Sequence, residues 1–345
     1  MIIPLLKCKS KDPADVNNHR PIAIATAFSK VLEQVLLSRL ARYLRTADSQ
    51  FGFKQAHGTE MVIFALKQTV DFYRNQDTPV CMWFLDAKKA FDRVNHWTLA
   101  KKLLDRNVPL HIVKLFIFWY REQEFMVRCC NTLSMTFRCA NGIRQEGQLS
   151  LLLYNVYTDD LNNHLQATGV GCCLGGAWVN SLSYEDDMML LAPTVTALQT
   201  LLEVCRAYAG PHDIVYNTTK TVCMLVRPKQ SQGQFSTRVR LGNEELSFVE
   251  EFRYLIICRD DKDIKKQFRR QNTVGNMLVR KFLFAPIEAK IQLFKSYCYP
   301  IYGCALWRHS IHSRTLLGSL LSVIVTHSSI LLMSPDTPAR VWHLR

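Results

Sequence analysis

Apolar residues recur three and four positions apart at Phe28, Val31, Leu32, Val35, Leu36, Leu40, Tyr43 and Leu44, with Lys30, Arg39, Arg42 and Arg45 on other faces. This spacing predicts an amphipathic helix whose inner stripe is that apolar set, capped by Thr26. The same period predicts helices from Thr59 to about Asn75, over 97–106, over 109–121 with Pro109 in the first turn, and over 148–165. Leu149, Leu152, Leu153, Val156 and Leu161 form the inner face of that last one, and a further helix over 196–209 is expected to stop at Gly210. "TPVCMWFLD", Thr78 to Asp86, is instead a continuous apolar run after a proline, the signature of a buried strand. Strands over 178–184 and 188–191 flank an acidic tripeptide as a tight hairpin. Strands and helices mix without the strict alternation of a doubly wound sheet, so the pattern predicts an α+β fold.

Length and charge narrow the function. The chain has 345 residues, 48% of them hydrophobic, enough for a substantial core and two or three subdomains. Lys and Arg total 43 against 29 Asp and Glu, a net charge of +14. That excess favours polyanionic partners, nucleic acid first and anionic membrane second. Twelve dispersed cysteines, including the adjacent pairs Cys129–Cys130 and Cys172–Cys173, show no zinc spacing and suit reduced thiols used as small apolar residues. No signal peptide is expected from "MIIPLLKCKSKD". Thr315 to Met333 is the one apolar stretch of membrane length, but Ser, Thr and His dilute it, and no span is expected. "RPKQSQGQFS" reads as a linker or long turn.

Two acidic sites then stand out against this basic background. "LSYEDDMMLLA" sets Glu185, Asp186 and Asp187 inside an apolar run, and "CMWFLDAKKAFDRV" ends its strand at Asp86, with Asp92 six residues on. A strand-end carboxylate and a pair at a hairpin tip are a hard-oxygen donor set suited to Mg²⁺. Two such ions suit phosphoryl transfer.

"FLDAKKAFDRVNH", "NGIRQEGQLSLLLYNVYTDDL" and "YEDDMMLLAP" occur in this order and resemble the palm motifs of reverse transcriptases, those of non-LTR (LINE-like) retrotransposons above all. "HRPIAIATAFSKVLEQVLLSRL" and "QFGFKQAHGT" resemble the finger motifs, "NTTKTVCML" and "FRYL" later palm motifs, and "YCYPIYGCALW" the thumb. The resemblance implies a right-hand fold of fingers, palm and thumb with an antiparallel palm sheet. Partial fingers would occupy 1–80, the palm core 81–226, later palm and a basic thumb-like region 227–307, and an unassigned tail 308–345.

It further implies RNA-directed DNA synthesis with an RNA template, a DNA primer and dNTPs, using two Mg²⁺ ions for which Mn²⁺ can substitute. Asp86 and Asp186 would bind both ions, with Asp187 beside them and the Ala87 carbonyl near the triphosphate. Phe91 would lie under the sugar and select deoxynucleotides, its alternative being core packing. Gln145 and Gly147 would line nucleotide and template. Arg20 and Lys54 would contact phosphates, and Lys220 would stand near the departing pyrophosphate. Lys262, Lys265, Lys266, Arg269 and Arg270 would hold the RNA–DNA hybrid. Asp92 reads as structural. Work in the nucleus or cytoplasm is expected, not secretion and not a membrane.

Three substitutions depart from the family pattern. Glu185 replaces a small residue, and an added carboxylate about 5 Å from primer phosphate would cost on the order of 3 kcal/mol at an effective dielectric near 20. Glu146 stands where Gly is usual, and Ile256 where a turn favours Gly. The chain opens inside the finger pattern and loses the resemblance after Arg308, so a truncated, drifting copy is expected, with endonuclease activity supplied by another protein. A silent nucleic-acid-binding remnant and an intron-maturase-like RNA-binding protein are the alternatives.

Overall fold

In the computed structural model the chain divides into two units, residues 1–250 and 251–345. The structure describes residues 1–8, 12–54, 57–144, 147–228, 239–242 and 244–249 of the first, and 269–297 of the second except 271, 272, 275, 279 and 283. Gln145, Glu146, Ile256, Lys262, Lys265, Lys266 and the 315–333 stretch therefore lie outside the described residues. Arg269 and Arg270 are exposed in the second unit, which also contains a helix over Ile287–Tyr297.

The first unit opens with an antiparallel pair, β1 (Ile2–Leu6) and β2 (His19–Ala23), followed by helices α1 (Ala27–Leu40) and α2 (Thr59–Asn75). Strand β3 (Val80–Leu85) leads to α3 (His96–Asp105) and α4 (Leu110–Arg121). Two short antiparallel ladders follow, β4 (Glu124–Phe125) with β7 (Phe137–Arg138) and, between them, β5 (Arg128–Cys129) with β6 (Thr132–Leu133). Helix α5 (Gln148–Ala167) precedes the β8 (Cys173–Leu174) and β9 (Ala177–Trp178) ladder. The hairpin β10 (Ser181–Tyr184) and β11 (Asp187–Ala192), helix α6 (Val195–Ala209), β12 (Val222–Val226) and the small pair β13 (Arg240–Leu241) and β14 (Glu244–Glu245) complete the unit.

The central sheet has the order β10–β11–β3–β12 and is antiparallel throughout. All six residues of β3 are buried, which is why its sequence shows no alternation. Cys81, Trp83 and Leu85 pack into one cluster with Leu190 of β11, Leu161 and Leu165 of α5, and Leu198, Leu201 and Leu202 of α6. A second core joins α1, α3, α4 and α5 through Leu36, Leu40, Leu99, Leu103, Phe116 and Leu153. Helix α5 thus belongs to both cores and fixes the helical layer to the sheet. Side-chain oxygens cap three helices: Thr26 accepts from Ser29 N–H, Asn95 from Trp97 and Thr98 N–H, and Thr194 from Ala197 N–H.

Four expectations need correction. Helix α1 ends at Leu40, and Phe28, Val31 and Val35 of its expected inner stripe are exposed. The face it buries carries Glu33 with Leu36 and Leu40, because Glu33 meets a buried arginine from a distant segment. The predicted 178–184 strand breaks at 179–180, leaving β9 and β10 as separate pieces. Helix α6 does end at Ala209 with Gly210 as its cap, but Gly210 keeps a right-handed conformation and opens a short 3₁₀ turn, which the left-handed Asp213, φ 53°, ends.

Cys81, Cys129, Cys130, Cys139, Cys172, Cys173, Cys205 and Cys223 are thiols outside any disulfide. No described helix is long and apolar enough to cross a membrane.

Candidate active site

Asp86 immediately follows β3. Its carbonyl accepts from Asn217 N–H at 2.7 Å and Lys88 N–H donates to the Val215 carbonyl at 2.7 Å, so residues 86–88 are stapled to the chain entering β12. Those two bonds leave the Ala87 carbonyl out of the ladder. The half-buried Asp86 carboxylate receives the Lys220 ammonium at 3.3 Å.

The acidic tripeptide occupies the hairpin on the neighbouring strands. Tyr184 pairs with Asp187, leaving Glu185 and Asp186 as a two-residue loop. A loop this short needs a left-handed residue, usually Gly or Asn, and here Glu185 takes that conformation at φ 59°. Met188 pairs with Leu85, so Asp187 comes one step further on, at the same sheet end as Asp86.

The electrostatics reflect this convergence. Burial, then Asp86, pushes the Asp186 carboxyl up, while its own backbone N–H and the cations Arg20 and Lys220 pull it back. Desolvation followed by the charges of Asp186 and Asp86 pushes Asp187 up to about 6. Glu185 rises to about 7 through burial and the charges of Asp186 and Asp187. Arg20, exposed on β2, therefore acts on the hairpin's field.

Among the described residues, no three His, Cys, Asp or Glu side chains already converge as a metal cage. The donor chemistry nevertheless fits a divalent ion. Asp86, Asp186 and Asp187 are hard oxygen donors whose mutual repulsion a cation relieves, as Lys220 does in part through its ion pair with Asp86 and its pull on Asp186 and Asp187.

The other expected residues are placed as follows. Phe91 is buried in a 3₁₀ turn, its ring 4.9 Å from that of Tyr154, and Tyr154 itself senses the charges of Asp186 and Asp187. The Phe91 ring thus packs in the core against Tyr154. Gly147 caps α5, and a Cβ there would meet Ser150 Oγ at 2.8 Å and Glu33 Oε1 at 3.2 Å, so the close approach requires glycine. The Lys54 ammonium donates to the carbonyls of Thr46 at 2.9 Å and Ala47 at 2.6 Å, and burial lowers its pKa. Asp92 lies in the same 3₁₀ turn as Phe91, its carboxyl pushed up by burial.

Two supporting groups escaped the sequence reading. Glu33 and Arg144 form an ion pair with 2.8 Å between Nη2 and Oε1, both side chains below a tenth exposed. Arg144 also donates to Ser29 Oγ at 2.8 Å and stacks 4.7 Å above the Trp119 ring. Gln50 reaches the Glu185 carbonyl, and Gly52 and Asn155 hold the segment that carries it. Arg144 lay inside one quoted motif and Gln50 and Gly52 inside another, but neither carried a sign of its partner.

Residues 9–258 match the family described as reverse transcriptase (RNA-dependent DNA polymerase). The chain belongs to this family. Among curated relatives, this reverse transcriptase is similar to the RNA-directed DNA polymerase from mobile element jockey of Drosophila funebris, 26% identical over 355 residues, covering 94% of this chain and 37% of that protein. It is also similar to the probable RNA-directed DNA polymerase from transposon BS of Drosophila melanogaster, 31% identical over 317 residues, covering 84% and 34%. The chain spans about a third of the length of these relatives. A structure of telomerase from Candida tropicalis with a fragment of telomeric RNA aligns with a TM-score of 0.46 at 12% identity, covering 90% of this chain and 52% of that one. The relatives are named for LINE-like elements, in agreement with the motif resemblance, and neither the silent-remnant nor the maturase alternative is favoured. Members of the family use divalent metal ions, for which the three carboxylates of this reverse transcriptase are the fitting donors.

Proposed function

We propose that this reverse transcriptase domain extends a DNA primer on an RNA template. The primer 3′-hydroxyl oxygen forms a bond to the α-phosphorus of a dNTP, the α–β phosphoanhydride bond breaks, and pyrophosphate leaves. The observation that carries the reading is the register that brings Asp86 and the Asp186–Asp187 hairpin to one end of the sheet, inside the matched region. Two Mg²⁺ ions, replaceable by Mn²⁺, would be held by Asp86, Asp186, Asp187 and the Ala87 carbonyl and would supply Lewis acidity to the attacking and leaving oxygens.

The chain's own groups act around that centre. Lys220, already at the Asp86 carboxylate, is placed to donate a proton or charge to the departing pyrophosphate. Arg20 faces the same field and contacts triphosphate. Lys54 acts either as a phosphate contact, after exchanging its two carbonyl partners, or by fixing the 46–54 loop. Phe91, backed by Tyr154, supports the sugar and crowds a 2′-hydroxyl. Gln145 and Gly147 line the nucleotide. Lys262, Lys265, Lys266, Arg269 and Arg270 hold the hybrid through its phosphates. Residues 1–80 serve as fingers, 81–226 as palm and 227–307 as later palm and thumb. The expected place of work is the nucleus or the cytoplasm.

Primer extension on poly(rA)·oligo(dT) with dTTP and Mg²⁺, then Mn²⁺, tests the reading. Templated incorporation is the expected result; folded protein that binds the hybrid and adds no nucleotide under either ion would overturn it.

A further inference from the structure

Strand β10 is the edge of the central sheet, and the segment before α2 closes that edge at the catalytic end. Ser183 N–H donates to the Ser49 carbonyl and Phe51 N–H to the Ser183 carbonyl, each at 2.8 Å, so residues 49–51 run as a short parallel addition to β10. Gln50 sits in the middle of this contact and is 1% exposed. Its Oε1 accepts from Gly52 N–H at 2.9 Å, and its Nε2 donates to the Glu185 carbonyl at 3.4 Å. The Gly52 carbonyl in turn accepts from Asn155 Nδ2 of α5 at 2.7 Å. A Cβ on Gly52 would lie 2.4 Å from the Glu185 nitrogen, so the two backbones are in direct apposition.

We propose that Gln50 is a positioning residue for the reaction: through the 49–52 strut it fixes Glu185, and through Glu185 the location of Asp186. Gln50 touches neither carboxylate nor substrate. Its side chain links the strut to the peptide immediately before Asp186, in a loop with only two residues to absorb displacement. Metal-ligating and catalytic groups must be held to within about 0.5 Å, and a misplacement of about 1 Å costs roughly a hundredfold in rate. The inference rests on the reading that this hairpin carries the catalytic carboxylates.

The test compares the full chain with Gln50→Met, which keeps length and removes both hydrogen bonds, and with Gln50→Glu, which keeps an acceptor for Gly52 N–H and replaces the donor to Glu185 by a carboxyl oxygen. Hydrogen exchange is followed by mass spectrometry, and single-nucleotide addition is measured on the same hybrid. At least one folded variant is expected to show roughly tenfold faster exchange confined to 183–188, with α3 and α4 unchanged. Its kcat is expected to fall about ten- to a hundredfold while the dNTP KM stays within twofold. Unchanged exchange at 183–188 in a folded variant would overturn the proposal, as would faster exchange there with kcat unchanged. Failure of both variants to fold would also overturn it, since Gln50 would then be a general core residue. If the wild-type chain adds no nucleotide, the catalytic reading of the hairpin fails, while the exchange comparison still decides whether Gln50 fixes it.

Discussion

The Lys220 ammonium lies 3.3 Å from the Asp86 carboxylate, joining the loop before β12 to the residue that follows β3. Lys220 is largely exposed, so the pair contributes little to folding, on the order of 0–1 kcal/mol. In the proposed reaction its value lies in a positive charge held beside the carboxylates, where the triphosphate would bind. Lys220→Met should therefore leave the denaturant midpoint nearly unchanged and reduce kcat about a hundredfold, the lower range for loss of a positioned acid. Single-turnover incorporation beside urea unfolding checks both halves.

Glu185 combines a left-handed backbone with a carboxylate beside Asp186 and Asp187. Asn tolerates that conformation better and carries no charge, so Glu185→Asn should stabilise the chain by roughly 1 kcal/mol. Glu185→Ala separates the two causes, because it removes the charge and leaves a Cβ at positive φ. The Asn variant melting higher than the Ala variant, and both above wild type, is the expected order in a thermal scan.

The buried Glu33–Arg144 pair predicts an asymmetry. Glu33→Ala leaves the guanidinium buried without its counter-charge and should cost about 3–5 kcal/mol, whereas replacing both residues by apolar ones of similar size should cost much less. Chemical denaturation of the two single variants and the double variant, read as a cycle, measures the coupling.

These features mark the limit of what the sequence could reveal. The β3 run and the acidic hairpin were legible because apolar strands ending at carboxylates are local patterns, whereas the register that joins them pairs Met188 with Leu85 across more than a hundred positions. The buried face of α1 was misread because Glu33 is acceptable inside only with Arg144, more than a hundred residues away, and a helical period contains no information about that partner. Gln50 and Glu185 are separated by 135 positions, so the strut exists only in three dimensions. The left-handed Glu185 was hidden because "SYEDDM" lacks the Gly or Asn that usually announces such a turn.

His96 supplies a pH dependence away from the catalytic carboxylates. Burial lowers its pKa, its Nε2 meets the Gly142 carbonyl at 2.7 Å, and the ring packs against Tyr120. The fold thus prefers the neutral ring, while the unfolded chain takes up a proton near 6.5. Stability should be unaffected by this group above about pH 6.5 and fall as pH drops below it. His96→Gln, which can still donate to Gly142, should flatten that fall in urea midpoints measured between pH 7.5 and 5.5.

The central claim is that the carboxylates brought together at the end of β3 and the β10–β11 hairpin carry nucleotide addition. The most direct test is single-turnover incorporation by wild type and Asp186→Asn at equal occupancy of the RNA–DNA hybrid, with hybrid affinity measured separately. The account predicts a rate loss on the order of a thousandfold, about 4 kcal/mol of transition-state stabilisation, with hybrid binding retained within twofold. An Asn variant that incorporates nucleotide at the wild-type rate would contradict it.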